Sequence, residues 1–141
     1  MKLPDTNVLL NAINQRAAGH EQARDWMERA LVAPEGVALC WNVLIGFVRL
    51  STHRAILAPP LSVPDALAAL RQWLASPRAV ILHPGDRHLE HIARLLTGAG
   101  TAGNLTNDAH IAALAIEHGA TVVSFDRDFE RFAGLSFERL G

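Results

Sequence analysis

The chain of 141 residues has one cysteine, one lysine and no large excess of charge. The lone cysteine, Cys40, rules out an intrachain disulfide. It sits in the apolar run Val37-Ala38-Leu39-Cys40-Trp41 and reads as a small buried hydrophobe. A net charge of -1 argues against a protein that coats nucleic acid by bulk electrostatics. It leaves room for an enzyme that touches RNA at a few phosphates. Lys2 is the only lysine, and arginine takes its place elsewhere. A GC-rich genome produces that bias, although arginine also suits bidentate contacts to phosphate. No apolar run nears the roughly 20 residues of a membrane span. The N-terminus lacks the basic and long apolar regions of a signal peptide. These absences set the expectation of a cytoplasmic protein without membrane contact. With 50% hydrophobic residues, a chain of this length can bury a proper core, and it suits one domain over 1–141.

Strand-like and helical segments alternate along the chain. Leu3 to Asp5 reads as a short strand turning into a helix that ends near Ile13. Glu21 to Val32 has helical spacing of Ala23, Trp26, Met27, Ala30 and Leu31. Val37 to Cys40 is a strand. Asn42 is expected to cap the next helix, whose Val43, Leu44, Phe47, Val48 and Leu50 make it apolar almost all round. Such a helix is buried or lies at an interface. Ser62-Val63-Pro64-Asp65 has capping-box spacing ahead of a helix over Ala66 to Leu74. A strand at Ala79 to Leu82, a helix at Asp86 to Leu96, and a helix at Asp108 to His118 ended by Gly119 follow. Thr121 to Ser124 is a strand, Asp126 to Phe132 a short helix, and Ser136 to Arg139 a final edge strand. This alternation predicts a parallel α/β sheet.

Three aspartates each close an apolar, strand-like run: Lys2-Leu3-Pro4-Asp5, Asn104-Leu105-Thr106-Asn107-Asp108 and Thr121-Val122-Val123-Ser124-Phe125-Asp126. In an open parallel sheet the carboxyl ends of the strands meet in one crevice, where ligands bind. Acids placed there converge although they are far apart in sequence. Converging carboxylates repel, and nothing basic in these segments neutralises them. A hard cation such as Mg²⁺, which takes oxygen ligands, would do so. The competing explanation is that each aspartate merely caps the helix after it. Asp128, two residues after Asp126, adds a fourth carboxylate or else a solvated first-turn acid. Glu28, Glu90 and Glu117 read as acids on exposed helix faces.

Other motifs fail on context. Gly98-Ala99-Gly100-Thr101-Ala102-Gly103 matches a dinucleotide fingerprint literally, but it follows a helix, whereas that motif must follow a strand. It reads as a flexible loop. His88 and His91 share a helix face without a third zinc ligand, and His110 and His118 read as surface residues. No Ser-His-Asp set can be assigned.

Leu3-Pro4-Asp5-Thr6-Asn7-Val8-Leu9-Leu10, Gly103-Asn104-Leu105-Thr106-Asn107-Asp108-Ala109-His110 and Ser124-Phe125-Asp126-Arg127-Asp128-Phe129 resemble the PIN-domain family. With Trp41-Asn42-Val43-Leu44-Ile45-Gly46-Phe47-Val48-Arg49-Leu50-Ser51-Thr52, the chain resembles more narrowly the VapC-type toxins of bacterial toxin–antitoxin pairs. The resemblance covers nearly the whole chain, in order. It implies a three-layer α/β/α sandwich and an endoribonuclease dependent on Mg²⁺ or Mn²⁺. It also implies a homodimer silenced by a partner antitoxin. The apolar helix around Phe47 and Val48 adds to the dimer expectation. By the same resemblance Asp5, Asp108 and Asp126 match family acids, and Ser124 matches a small hydroxyl residue that supports the last of them.

The chain departs from the family at one place. Many PIN domains carry a glutamate on the helix after the second strand; here Gly46 stands near that position. No acid occurs from Gly36 to Pro64. The expectation is a weak or single metal site, with Asp128 in partial compensation. Arg49, one turn beyond Gly46, either faces the crevice to hold a phosphate or caps the end of a buried helix. The missing glutamate also keeps open a PIN-like module that binds RNA or protein without cutting. Haloacid-dehalogenase chemistry needs an acid where Asn7 stands. A receiver-like phosphoacceptor needs a late lysine, and Lys2 is the only one.

Overall fold

The computed structural model describes all residues, 1–141. Five strands form one parallel sheet: β1 (Lys2–Pro4), β2 (Val37–Leu39), β3 (Ala79–Ile81), β4 (Thr121–Ser124) and β5 (Phe137–Arg139), in the order β3-β2-β1-β4-β5. Six helices connect them: α1 (Thr6–Ile13), α2 (His20–Ala30), α3 (Trp41–Ser51), α4 (Val63–Leu74), α5 (His88–Ala99) and α6 (Leu105–His118). A short 3₁₀ helix, Arg127–Arg131, lies between β4 and β5.

Successive strand residues point to opposite faces, so a strand buried along its whole length must be covered on both sides. Val37, Ala38 and Leu39 are all buried, as are Val122, Val123 and Ser124. This is the central layer of the expected sandwich. One core of 32 buried residues runs through sheet and helices. Phe47 is fully buried and meets Trp73 of α4 edge to face at 4.9 Å. The apolar face of α3 around Phe47 and Val48 therefore finds its cover within this chain. Trp41 and Ile45 are the large apolar side chains that α3 leaves in solvent.

Several boundaries differ from expectation. Asn42 is not a cap: α3 starts at Trp41 with Cys40 in the cap position, and the Asn42 amide reaches across to α6 instead. The loop expected from Gly98 starts later, because α5 runs to Ala99 and ends on Gly100 at φ 76°, a left-handed turn that glycine adopts without strain. Ser62 is the expected cap, its Oγ accepting the Asp65 N–H at 3.2 Å, and α4 begins right after it at Val63.

The chain runs outward from β1 through β2 to β3, then returns to the other side of β1 for β4 and β5. Between β1 and β4 the strand order reverses. In register Pro4 stands opposite Val123, so residues just beyond these two strands share one crevice. That is where open α/β sheets hold ligands.

Candidate functional site

Asp5 follows β1 directly, and Asp126 follows β4 by two residues, so the reversal of strand order sets them beside each other. Both are helix caps. Asp5 accepts the Thr6 N–H at 2.7 Å, and Asp126 accepts the Asp128 N–H at 2.9 Å. The capping explanation accounts for these two and fails for Asp108. No strand precedes Asp108: α6 begins at Leu105, with Asn104 in the cap position, and Asp108 lies in its first turn. Leu105, read as part of a strand end, instead joins Ala109 and Ala112 in the buried stripe of a helix. Asp108 has no capping duty to explain it.

Ser124 ties the two strand ends together. Its buried hydroxyl donates to Asp5 Oδ2 at 2.9 Å and accepts the Asp126 N–H at 3.0 Å. The Asn7 side-chain amide donates to the same hydroxyl at 3.0 Å, and its carbonyl takes the Phe125 N–H at 3.3 Å. Ser124 thus orients the Asp5 carboxylate and the Asp126 backbone, and Asn7 holds the Ser124 hydroxyl.

Asp108, Asp126 and Asp128 bring carboxylate oxygens within 4.8 Å of one another. Asp5 lies outside that group but close enough for its charge to act on Asp108. Burial raises the Asp5 pKa; bonds from Ser124 and Thr6 oppose the rise, and Asp126 adds to it. Asp108 is pushed up to about 7, first by burial and then by Asp5, Asp126 and Asp128, with nothing to offset them. Like charges crowd this crevice. None of the four acids has an ion-pair partner: the pairs formed are Lys2–Glu138, Arg24–Asp25, His88–Glu117 and Arg139–Glu130. A set of carboxylate oxygens without a protein cation suits a hard divalent ion.

A groove of about 600 Å³ opens from Asp5 between α1 and α3 and reaches the start of α6. Arg49 is exposed and lines it, together with Gly46. Gly46 sits where α1 and α3 approach closely; a Cβ there would come to 3.0 Å from Thr6 Oγ1. The acid missing from α3 is therefore missing from the groove wall itself. Trp41, Asn42 and Asn107 also line this groove. The Asn42 side-chain amide donates to Asn107 Oδ1 at 2.7 Å. No local pattern announces this bridge, because it depends on α3 and α6 meeting in space.

A second polar cluster joins α5 to α6. His88 Nδ1 meets Glu117 Oε1 at 2.9 Å, His88 Nε2 meets His110 Nδ1 at 2.8 Å, and the Gly85 N–H donates to Glu117 Oε2 at 2.9 Å. Glu117 is not the exposed helix-face acid expected: its side chain is only 10% accessible. Nor is His110 a plain surface residue, since it is partly buried against His88. Burial works to raise the Glu117 pKa, but Gly85 and the neighbouring histidines outweigh it and hold the group below its ordinary value. The His110 pKa is lowered, by burial first and by His88 second.

A parallel α/β sheet with acids gathered where its strand order reverses defines the class, and residues 2–135 match the PIN domain. The chain belongs to the PIN-domain family. It is 43% identical over 139 residues to ribonuclease VapC37 of Mycobacterium tuberculosis, covering 99% of this chain and 96% of that one. Ribonuclease VapC33 of the same organism is 39% identical over 137 residues, covering 97% and 96%. Among solved structures, the chain resembles VapBC2 from Rickettsia felis bound to a DNA fragment from their promoter, with TM-score 0.73 and 21% identity over 98% of this chain and 97% of that one. It also resembles M. tuberculosis VapC20, a toxin that cleaves the sarcin–ricin loop, with TM-score 0.71 and 22% identity over 99% and 100%. These two structures match the fold.

Proposed function

We propose that this chain is a metal-dependent endoribonuclease, the toxin of a toxin–antitoxin pair, which hydrolyses RNA phosphodiester bonds. The observation that carries the reading is the uncompensated carboxylate set at the reversal of strand order, in a chain 43% identical to a VapC ribonuclease.

Asp108, Asp126 and Asp128 would hold Mg²⁺ or Mn²⁺, directly or through its waters, with Asp5 as the buried fourth acid. When bound, such an ion polarises a phosphoryl oxygen, lowers the pKa of water and neutralises leaving-group charge. The chain's own residues prepare that site. Ser124, itself held by Asn7, would fix the Asp5 carboxylate and the Asp126 backbone before substrate arrives, so that little reorganisation is left for the reaction. Arg49, on the groove wall, would hold a phosphate of the RNA strand with its planar fork.

A cognate antitoxin is the expected partner, a homodimer the expected assembly and the cytoplasm the place where its RNA substrate is met. No helix is long and apolar enough to cross a membrane. Gly46 favours one alternative, a PIN module that binds without cutting.

The test is cleavage of cellular RNA by purified protein with Mg²⁺, with Mn²⁺ and with chelator, cut sites being mapped. Cleavage in both metals, lost in chelator and regained on adding metal, supports the enzyme. Binding without cleavage in either metal supports the module. Cleavage that is indifferent to chelator removes the metal.

A further inference from the structure

The groove beside Asp5 has two kinds of wall. Arg49 lies near one end of α3 and Trp41 at the other, about 12 Å apart along the helix at 1.5 Å per residue. Near the Trp41 end the Asn42–Asn107 amide pair spans α3 and α6, and in the middle Gly46 keeps the wall bare. Trp41 is 49% exposed, whereas Trp26 and Trp73 are each 7% exposed. A large aromatic held in solvent by a buried helix loses hydrophobic stabilisation that an inward position would give.

We propose that this groove seats one unpaired nucleotide of the RNA strand beside the phosphate to be cut. The Trp41 indole is its stacking surface, the Asn42–Asn107 pair reads its base edge, and Arg49 holds a neighbouring phosphate. Proteins that read RNA sequence splay single-stranded bases onto aromatic rings and bond their edges with side-chain polar groups. Each asparagine amide has two donors and an acceptor with two lone pairs, and the bridge between them uses one donor and one lone pair. Functions for a base edge remain on both. The volume of about 600 Å³ falls within the range of small-ligand sites. The groove is continuous with the carboxylate set through Asp5. The one arginine on its wall fits a phosphate. The proposal rests on the ribonuclease reading and adds the residues that would choose the base beside the cut.

Two readouts test it. The first is Trp41 fluorescence under acrylamide quenching, measured in the Asp108→Asn chain to avoid cleavage. A mixed-sequence, single-stranded RNA should shield Trp41, and the same sequence as a duplex should not. The second is cleavage by variants of the otherwise wild-type chain. Trp41→Ala should lower kcat/KM roughly tenfold, the scale of one base stacked on an aromatic ring, and Trp41→Phe should recover most of the loss. Asn42→Ala and Asn107→Ala should each lower cleavage at the wild-type sites and shift the mapped cut sites toward other bases. Unchanged kcat/KM and cut sites in Trp41→Ala would overturn the proposal and leave the enzyme standing. Shielding of Trp41 by protein concentration alone would give the groove to a second copy and overturn it too. If the wild-type chain cuts no RNA in any metal, the ribonuclease reading fails by itself, and shielding still decides whether RNA enters the groove.

Discussion

The two polar clusters of this molecule differ in what they leave unsatisfied. At the α5–α6 junction, Glu117, His88, His110 and the Gly85 N–H are joined in one hydrogen-bonded chain. At the end of β1 and β4, Asp108, Asp126 and Asp128 crowd together beside Asp5, and no basic side chain pairs with any of them. Polar groups that complete one another's bonds stabilise a fold. Polar groups that only repel weaken it, and such a cost is characteristic of a site shaped for something else. The first cluster is thus assigned to structure and the second to function. Partial burial alone would not separate them.

The sharpest way to break this contrast is to neutralise the acids singly. Asp5→Asn, Asp108→Asn and Asp126→Asn should each lower RNA cleavage by roughly 100-fold or more, as loss of a charge that holds the metal predicts. Asparagine still caps a helix, so thermal unfolding in chelator should show Asp5→Asn and Asp126→Asn folded. Full cleavage by Asp108→Asn would remove the only one of the three acids without a cap to maintain.

A smaller loss is expected from Ser124→Ala, which frees the Asp5 carboxylate and the Asp126 N–H. Cleavage should fall about 10-fold, within the range for partners that orient metal ligands, with a weaker apparent affinity for Mg²⁺. Loss of stability with unchanged metal dependence would make Ser124 only a packing residue.

The α5–α6 cluster should respond the other way. Glu117→Gln should cost about 1–3 kcal/mol of stability, the scale for disturbing partly buried bonds to a charged group, while kcat stays at its wild-type value. The Glu117 pKa is lowered in the folded chain. Its contribution is therefore complete above the unfolded pKa of an ordinary glutamate and is lost as pH falls through the lower, folded value. Denaturant unfolding across acid pH checks both statements. A drop in cleavage equal to that of the Asp108 variant would erase the division between the clusters.

The sheet was legible in the sequence because its strands are short apolar runs bounded by turns, as at Val37 to Leu39 and Thr121 to Ser124. Asp5 and Asp126 were legible for the same reason, since each follows such a run. Asp108 was found through the wrong element: the first turn of α6, Leu105 to Asp108, was read as a strand end because so few residues do not separate the two. Glu117 and His110 were misplaced because α6 packs against α5 along a side that helical spacing alone does not mark as buried. Asn42 looked like a cap by residue type, yet its partner is Asn107, far away in sequence. Contacts of that kind depend on how helices cross, and local pattern is silent about them. The strand-end pattern already suggested that the three acids converge; the resemblance to PIN domains added the chemistry, cleavage of RNA.

The central claim is that the crevice carboxylates are uncompensated in the protein alone and become compensated when a cation binds. The direct measurement is the unfolding midpoint of the wild-type chain relative to Asp108→Asn, followed across pH in chelator and again in Mg²⁺. The Asp108 pKa is raised from 3.8 to about 7 in the folded chain, so the folded state holds the extra proton. In chelator the wild type should therefore lose stability relative to the variant as pH rises through that window, and stay below it beyond. In Mg²⁺ the wild-type deficit should shrink or reverse, because an ion that binds only the folded state stabilises it. A wild-type midpoint that follows the Asp108→Asn midpoint at every pH, with and without Mg²⁺, would contradict the account.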